Sequence, residues 1–404
     1  MSNIYAKQLS FTASLLFSSP LYIAVFLMRF SFGLVLFALP IYLPKQELSN
    51  FVVGLIAAAY PVAETISGPG IGILADRFGR RRWIYIGLTI STMALFAFTL
   101  NNEVWYLIVI HAIQGVAAAM IIVSSLAMVT DVSTVSSRGR EMGVYDFSNL
   151  GGYVAGILMA GLLARTNSLV ASFYLGSALV GIAAVFAYFK IKQEPQRKHP
   201  ALSPLVTIRF LLRNRHAAAM FPIWLCVTTF VGTGLTFGPR IGPSPLLTSF
   251  FLSGIVLILA LTQPFFGHLS DKYGRERLMM LGMLSLIGLF ATVIAMLRGG
   301  LKFVLVAPFL AVFGVGSFAF APAALATLGD FAPEGGRGTT MGVYSVVISL
   351  GTVIGPLLGG YLLDRYGLSS LFYVGLLILI TALALAIAIA RPNLRNLASN
   401  STSH

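Results

Sequence analysis

Gly72-Ile73-Leu74-Ala75-Asp76-Arg77-Phe78-Gly79-Arg80-Arg81-Arg82 is echoed by Gly267-His268-Leu269-Ser270-Asp271-Lys272-Tyr273-Gly274-Arg275-Glu276-Arg277. Each stretch is a charged turn between two long apolar runs. Gly72, Asp76, Gly79, Arg80, Arg82 and Gly87 all meet an identical residue 195 positions later. A second echo runs at 199 positions, where Asp131, Arg138, Gly139, Met142, Gly143, Val144, Tyr145, Gly152, Gly156 and Gly161 recur from Asp330 through Met341-Gly342-Val343-Tyr344 to Gly360. Self-similarity at a fixed period marks a repeated structural unit, so two halves of about equal length descend from one.

Charged residues make up only 10% of the 404 residues and hydrophobic ones 57%, with a mean hydropathy of +0.88. Soluble domains carry about 25% charged residues, so this chain reads as a polytopic membrane protein. Apolar runs long enough to span occur at 20–43, 51–75, 82–100, 104–130, 140–164, 168–189, 217–239, 246–270, 278–297, 302–328, 339–362 and 368–390. They are continuously apolar rather than alternating with period two, which predicts helices and not barrel strands. The predicted organisation is a six-helix bundle over 1–189, a basic cytoplasmic linker over 190–216, a second six-helix bundle over 217–391 and a cytoplasmic tail over 392–404. No Ala-x-Ala site follows the weakly polar start, so the first span is expected to be retained as its own insertion signal.

A net charge of +14 raises a nucleic-acid reading, and the placement of the charges answers it. With both termini in the cytoplasm, 20 of the 27 Lys and Arg fall inside, Arg29 falls within a span, and Lys45, Arg165, Arg240, Arg298, Lys302 and Arg365 fall outside. This is the positive-inside bias of a multi-pass protein of the cell membrane. Anionic lipid of the inner leaflet is the partner it needs. Nucleic acid is not expected, since no RNP, zinc or basic-helix pattern is present. The linker over 190–216 repeats the theme: Pro195, Pro200 and Pro204 keep its start extended, and Leu205, Ile208, Leu211 and Leu212 opposite Arg209 and Arg213 suggest a short helix lying on the leaflet. Cys226, the single cysteine, lies in an apolar run and reads as a core residue.

The charged turns have a physical logic. Gly72 would let a neighbouring helix approach closely, Gly79 would permit the tight turn, and Asp76 can face the positive end of a helix from the opposite bundle. Arg80 can reach Asp131 at the inner end of the fourth span, and the second half repeats that pair as Arg275 with Asp330. Anchoring of topology by Arg77, Arg80, Arg81 and Arg82 explains part of this charge, but not Asp76 or Gly79.

In these residues the chain resembles the major facilitator superfamily, over almost its whole length, and most of all the drug:proton antiporter group within it. The resemblance implies an all-α polytopic membrane protein whose twelve transmembrane helices form two pseudo-symmetric six-helix bundles around a central cavity, open alternately to each side. It also implies that Gly72, Asp76, Gly79, Arg80 and Asp131, with Gly267, Asp271, Gly274, Arg275 and Asp330, act as a conformational latch and not as a substrate site. The eleventh span has Gly342, Gly351, Gly355, Pro356, Gly359 and Gly360 in the spacing G-x8-G-x3-G-P-x2-G-G. Antiporters of the family resemble this in the fifth span, where this chain keeps Gly143, Gly152, Gly156 and Gly161 but has Ile157 in place of proline. The glycines read as helix packing between the halves. The stretch Leu107 to Gly115 resembles the family's fourth-span motif, with His111 where an arginine stands in the family and Gln114 placed to line the cavity.

Ionisable groups inside spans are expensive in lipid, which makes each a functional candidate. Arg29, Glu64, His111 and Asp146 all lie in the first half, and the repeat puts Leu259, Leu310 and Ser345 opposite Glu64, His111 and Asp146. At ~1.5 Å per residue, Arg29 and Glu64 lie roughly 14 and 16 Å from the inner ends of their spans, at similar depth. Glu64 therefore reads as the proton-carrying acid, with Arg29 modulating it or binding an anionic group of the cargo. A static ion pair locking spans 1 and 2 is the competing reading. His111 reads as a relay or as a neutral packed histidine, and Asp146 as a gating contact or a proton site.

The candidate cavity set of Arg29, Phe32, Tyr60, Gln114, Tyr145, Trp224, Thr229 and Gln263 is aromatic and weakly polar, suited to hydrophobic or amphipathic cargo rather than sugars. The function expected is export of such small molecules in exchange for protons. Transport of a small organic anion with Arg29 as its ligand is the alternative, and a receptor that kept the fold without transport is a third. No Walker loop, serine elbow or metal-binding histidine pair is present, so neither enzymatic activity, nor a metal, nor any cofactor is expected. A monomer suffices for this architecture.

Overall fold

In a medium without water a backbone must satisfy its polar groups internally, and every regular element among the described residues is helical. The structure, a computed structural model, describes residues 2–43, 48–132, 138–166, 168–191, 209, 213–241, 244–299, 303–331 and 337–390, with most of their side chains. Helices α1 (Ser2–Tyr42), α2 (Asn50–Phe78), α3 (Arg80–Ala97), α4 (Val104–Val132), α5 (Arg138–Arg165) and α6 (Leu169–Lys190) form the first half. The second half holds α7 (Arg215–Ile241), α8 (Pro245–Tyr273), α9 (Arg275–Gly299), α10 (Phe303–Ser317), α11 (Phe320–Phe331), α12 (Arg337–Tyr366) and α13 (Leu368–Ala390). Most of the 190–216 linker, with the short helix expected there, lies outside the described residues.

Eleven stretches are long and apolar enough to cross a membrane. The twelfth crossing is α3, whose 18 residues open on Arg80, Arg81 and Arg82 and are diluted by them. Helices α10 and α11 make one crossing, Val304–Thr327. It breaks at Phe318 and Ala319 because Pro322 has no N–H to give the Phe318 carbonyl. Phe318 and Ala319 instead donate three residues back, to the carbonyls of Val315 and Gly316.

The two charged turns match in detail. Gly79 has φ +93° and Gly274 φ +96°, a region that glycine enters without steric penalty. Each amide donates to the carbonyl four residues back, Gly79 to Ala75 at 3.0 Å and Gly274 to Ser270 at 3.1 Å. Arg81 donates to the Tyr188 carbonyl in the last turn of α6 and stands over the Tyr188 ring, a favoured place for a cation.

Packing divides the chain into two compact units. The first comprises Met1–Lys198, Val231–Leu261 and Thr352–Arg365, and the second His199–Phe230, Thr262–Gly351 and Tyr366–His404. Helices α1 to α6 are thus joined by the parts of α7, α8 and α12 nearest the face opposite the charged turns. The repeat records ancestry, whereas packing follows which helices touch. In the first unit Phe98 and Phe173 stack at 5.4 Å, fully buried among Leu39, Ile56, Leu95 and Leu107. The second has its own core of Met220, Trp224, Met283, Phe290 and Leu379, which includes the buried Cys226.

Where helices cross most closely, glycine removes the side chain that would separate them. A Cβ on Gly152 would lie 2.6 Å from the Phe26 carbonyl oxygen, and one on Gly156 would strike the Phe30 carbonyl, so α5 rests directly on the backbone of α1. Gly115 of α4 meets the Tyr60 carbonyl of α2 in the same way. Among the described residues a Cβ on Gly72 would meet Val123 Cγ1 of α4 at an ordinary contact distance of 3.6 Å, and around Gly267 nothing described lies within 4 Å. Replacing Gly156 with Ala should therefore lower the thermal midpoint and the yield of monodisperse purified protein. In contrast, Gly234→Ala in α7, with nothing within 4 Å, should gain about 0.5–1 kcal/mol of helix stability. Equal midpoints for the two variants would contradict the tight α1–α5 crossing.

Candidate functional site

The α1–α5 crossing decides where Arg29 can go. A Cβ on Gly152 would sit 2.7 Å from Arg29 Cβ, so the arginine starts against the α5 backbone and must run along that helix. Its Nε donates to Asn149 Oδ1 at 2.5 Å and its Nη1 to the Tyr153 hydroxyl at 2.8 Å. Asn149 and Tyr153 are one turn apart on α5 and share a face. The guanidinium carbon lies 5.0 Å from the Tyr153 ring centroid and 5.9 Å from that of Phe32. A desolvated cation gains about 2 kcal/mol from such a ring face.

Glu64 is half-buried on α2, in the electrostatic field of Arg29, Tyr60 and Tyr153. The static Arg29–Glu64 ion pair weighed from the sequence is not formed, because the bonded guanidinium donors go to two neutral acceptors on α5. One polar atom nearby, Gln114 Oε1, is sealed from solvent and has no hydrogen-bond partner among the described residues. Such an atom costs about 1–3 kcal/mol while unpaired, so the site can receive a polar group there.

Aromatic rings extend the site across four helices. Phe32 packs on Tyr60 at 4.5 Å and edge-on to Tyr153 at 5.4 Å. Tyr60 in turn neighbours His111 at 5.5 Å, and His111 meets Phe98 at 5.7 Å. His111 Nδ1 bonds the Ile56 carbonyl at 2.8 Å, and since a carbonyl only accepts, Nδ1 carries the proton. This contact ties α4 to α2 beside the Gly115 crossing. Tyr145 shares a buried hydrogen bond of 3.0 Å with Ser125 Oγ on α4.

The remaining cavity candidates belong to the second unit. The hydroxyls of Thr228 and Thr229 donate back to carbonyls of their own helix, Trp224 and Leu225. Trp224 packs edge-on to Phe320 at 5.1 Å, and Gln263 is half-buried on α8. Along α12, Gly351 meets Thr228 in the second unit; in the first, the Gly355 carbonyl accepts from Thr233 at 2.8 Å, Gly359 meets Thr233, and Gly360 and Pro356 meet α2. Of the latch residues, Arg275 pairs with Asp271 at 3.7 Å within its own turn, an exposed pair worth about 0.3–0.5 kcal/mol. The side chains of Asp76, Asp131, Asp146 and Asp330 lie outside the described set. Asn149 and Tyr153 are the residues that sequence reasoning misses.

The geometry has counterparts among known proteins. "Multidrug resistance protein 2" of Bacillus subtilis (strain 168) is 26% identical over 361 residues, covering 84% of this chain and 87% of that protein. "Quinolone resistance protein NorA" of Staphylococcus aureus (strain MSSA476) is 25% identical over 351 residues, covering 85% of this chain and 89% of that protein. The solved structure of the nucleoside transporter NupG, as its D323A mutant, superposes with a TM-score of 0.74 at 17% identity, covering 92% of this chain and 98% of that one. An inward-facing bacterial homolog of the human lysosomal transporter Spinster gives 0.73 at 15% identity, covering 94% and 97%. These likenesses establish the fold. The family model described as Major Facilitator Superfamily matches residues 21–241 and 239–403, and the chain belongs to that family.

Proposed function

We propose that this protein is a secondary transporter that works by alternating access and exports hydrophobic or amphipathic small molecules across the cell membrane in exchange for protons. The observation that carries the reading is a half-buried arginine within a span, held by neutral Asn149 and Tyr153, while Glu64 stands in its field without an ion pair. In the proposed cycle this arrangement is the one with a proton on a Glu64 carboxyl oxygen. Losing it would leave a carboxylate that draws the guanidinium off α5 toward α2, which couples a proton to a movement between two helices. Phe32, Tyr60 and Tyr153 supply ring faces for apolar cargo, and Gln114 supplies a polar seat. The names of the two bacterial relatives, multidrug and quinolone resistance, support the same cargo class.

The rest of the proposed scheme follows the charge distribution and the repeat. Two bundles, 1–189 and 217–391, rock about the cavity; both termini and the 190–216 linker face the cytoplasm and anionic lipid; the working unit is a monomer. The charged turns form the inner latch, with Asp76, Asp131 and Asp330 as partners of the opposing arginines and helix ends, and Asp146 as a gating contact. A second reading, transport of a small organic anion, is favoured by the Arg29 charge having no carboxylate bonded to it.

Energised, efflux-deficient bacterial cells expressing the wild type should expel ethidium, and a protonophore should abolish it. Glu64→Gln should lose at least tenfold of that efflux at equal expression; unaltered efflux would remove Glu64 from the mechanism. Under the organic-anion reading Arg29→Lys abolishes cargo binding while proton movement persists. His111→Phe, which removes the interhelical hydrogen bond to the Ile56 carbonyl but leaves that carbonyl its bond within α2, should lower stability by about 0.5–1.5 kcal/mol without moving the pH of half-maximal efflux. A shift of that pH would assign His111 to the proton path.

A further inference from the structure

A third copy of the charged turn lies outside the two long repeats. Gly360-Tyr361-Leu362-Leu363-Asp364-Arg365-Tyr366-Gly367 matches Gly72 to Gly79 and Gly267 to Gly274 in its glycine, its leucine two positions on, its aspartate four on, the base and aromatic ring that follow, and the closing glycine. The backbone agrees. Gly79, Gly274 and Gly367 are the glycines with positive φ among the described residues, Gly367 at +74°. This copy stands at the opposite membrane face, at the end of α12. The first-half counterpart, 199 positions earlier, has Arg165 where Asp364 stands and Ser168 where Gly367 stands, so the feature belongs to one half.

Asp364 reaches the start of α2, which is in the same compact unit. Its Oδ1 accepts from the Asn50 amide at 2.9 Å and from Asn50 Nδ2 at 2.7 Å, and its Oδ2 accepts from the Phe51 amide at 2.8 Å. The first amides of a helix have no partner within it and carry the positive end of its dipole, so a carboxylate there makes charge-assisted bonds. The backbones also touch. A Cβ on Gly360 would lie 2.5 Å from the Asn50 carbonyl oxygen, and Gly54, farther along α2, rests on the Pro356 carbonyl. Arg240 of α7 adds a cation within the field of Asp364.

We propose that Asp364 is a clasp that holds the α2–α12 crossing shut at the face opposite the two charged turns, so that the chain carries a latch of the same chemistry at each membrane face. The roles are exchanged between the faces in sequence: the first charged turn carries its acid, Asp76, on α2, whereas here the acid is on α12 and grips α2. The clasp rests on the alternating-access reading and is independent of the coupling ion and of the cargo.

The test is a distance measurement on the full chain in lipid nanodiscs, with spin labels at Leu55→Cys and Tyr361→Cys in a Cys226→Ser background. Pulsed dipolar spectroscopy should show mainly one short distance. Asp364→Asn turns an amide N–H toward the α2 donors and should raise the ratio of long to short distances about tenfold, the weight of one charge-assisted hydrogen bond. Asp364→Glu should shift it less. If Asp364→Asn cannot be purified, Asn50→Ala, which removes a single donor, should give a smaller shift in the same direction. An unchanged distribution in whichever of these two is measured overturns the clasp. Glu64→Gln in the same background separates this proposal from the coupling reading: lost efflux with an intact Asp364→Asn distance shift leaves the clasp standing, and retained efflux with that shift removes only Glu64.

Discussion

Two helices whose backbones touch leave no volume for a side chain between them, and most of the site follows from that constraint at the α1–α5 crossing. Gly152 and Gly156 bring α5 onto the carbonyls of Phe26 and Phe30. Arg29 emerges beside that contact and is turned along α5, where Asn149 and Tyr153 accept its hydrogen bonds. A bulkier residue at Gly152 would push the arginine off this track. The glycines therefore determine the chemistry of the site as well as its packing, because they choose which acceptors the half-buried cation can reach.

The halves share a scaffold but not its polarity. The turn glycines agree within a few degrees of φ and in the bond that follows them, whereas Asn149 and Tyr153 face Ile348 and Thr352 across the repeat. Thr228 and Thr229 of α7 return their hydroxyls to their own helix, which keeps polar groups satisfied in apolar surroundings without assembling a site. Duplication supplied two copies of a mechanical part, and divergence placed an arginine and a carboxylate within the spans of one of them.

The helices are legible in the sequence because a span needs only length and apolarity, and the chain has little else. Arg29, Glu64 and His111 are legible for the opposite reason: a charge or imidazole in such a run is conspicuous. Asn149 and Tyr153 escape because neutral polar residues beside glycines look like ordinary packing. The signal that could find them is the one-turn series Tyr145, Asn149, Tyr153, whose last two members lack polar or aromatic equivalents of the same kind in the second half. The competing ion pair between Arg29 and Glu64 is not formed, because equal depth along two helices says nothing of the azimuth of either side chain. The third turn is hidden because its repeat partner reads Arg165, so a search for shared residues passes over it.

The break between α10 and α11 separates a long arm from a short one within a single crossing. Pro322 withholds the bond that would join them, so the two segments are connected at Phe318 and Ala319 by three-residue turns alone. A continuous helix transmits a push at one end to the other as a rigid rod does, but a rod with a joint can tilt one arm while the other stays seated. Here Phe320 of α11 seats on Gly282 of α9, and Phe313 of α10 seats on Gly288 of the same helix, while Val304, Leu305, Phe309 and Val312 of α10 turn outward and are exposed. The joint thus lets each arm lie on its own stretch of α9, so one crossing follows a neighbour that a straight rod would meet at only one place.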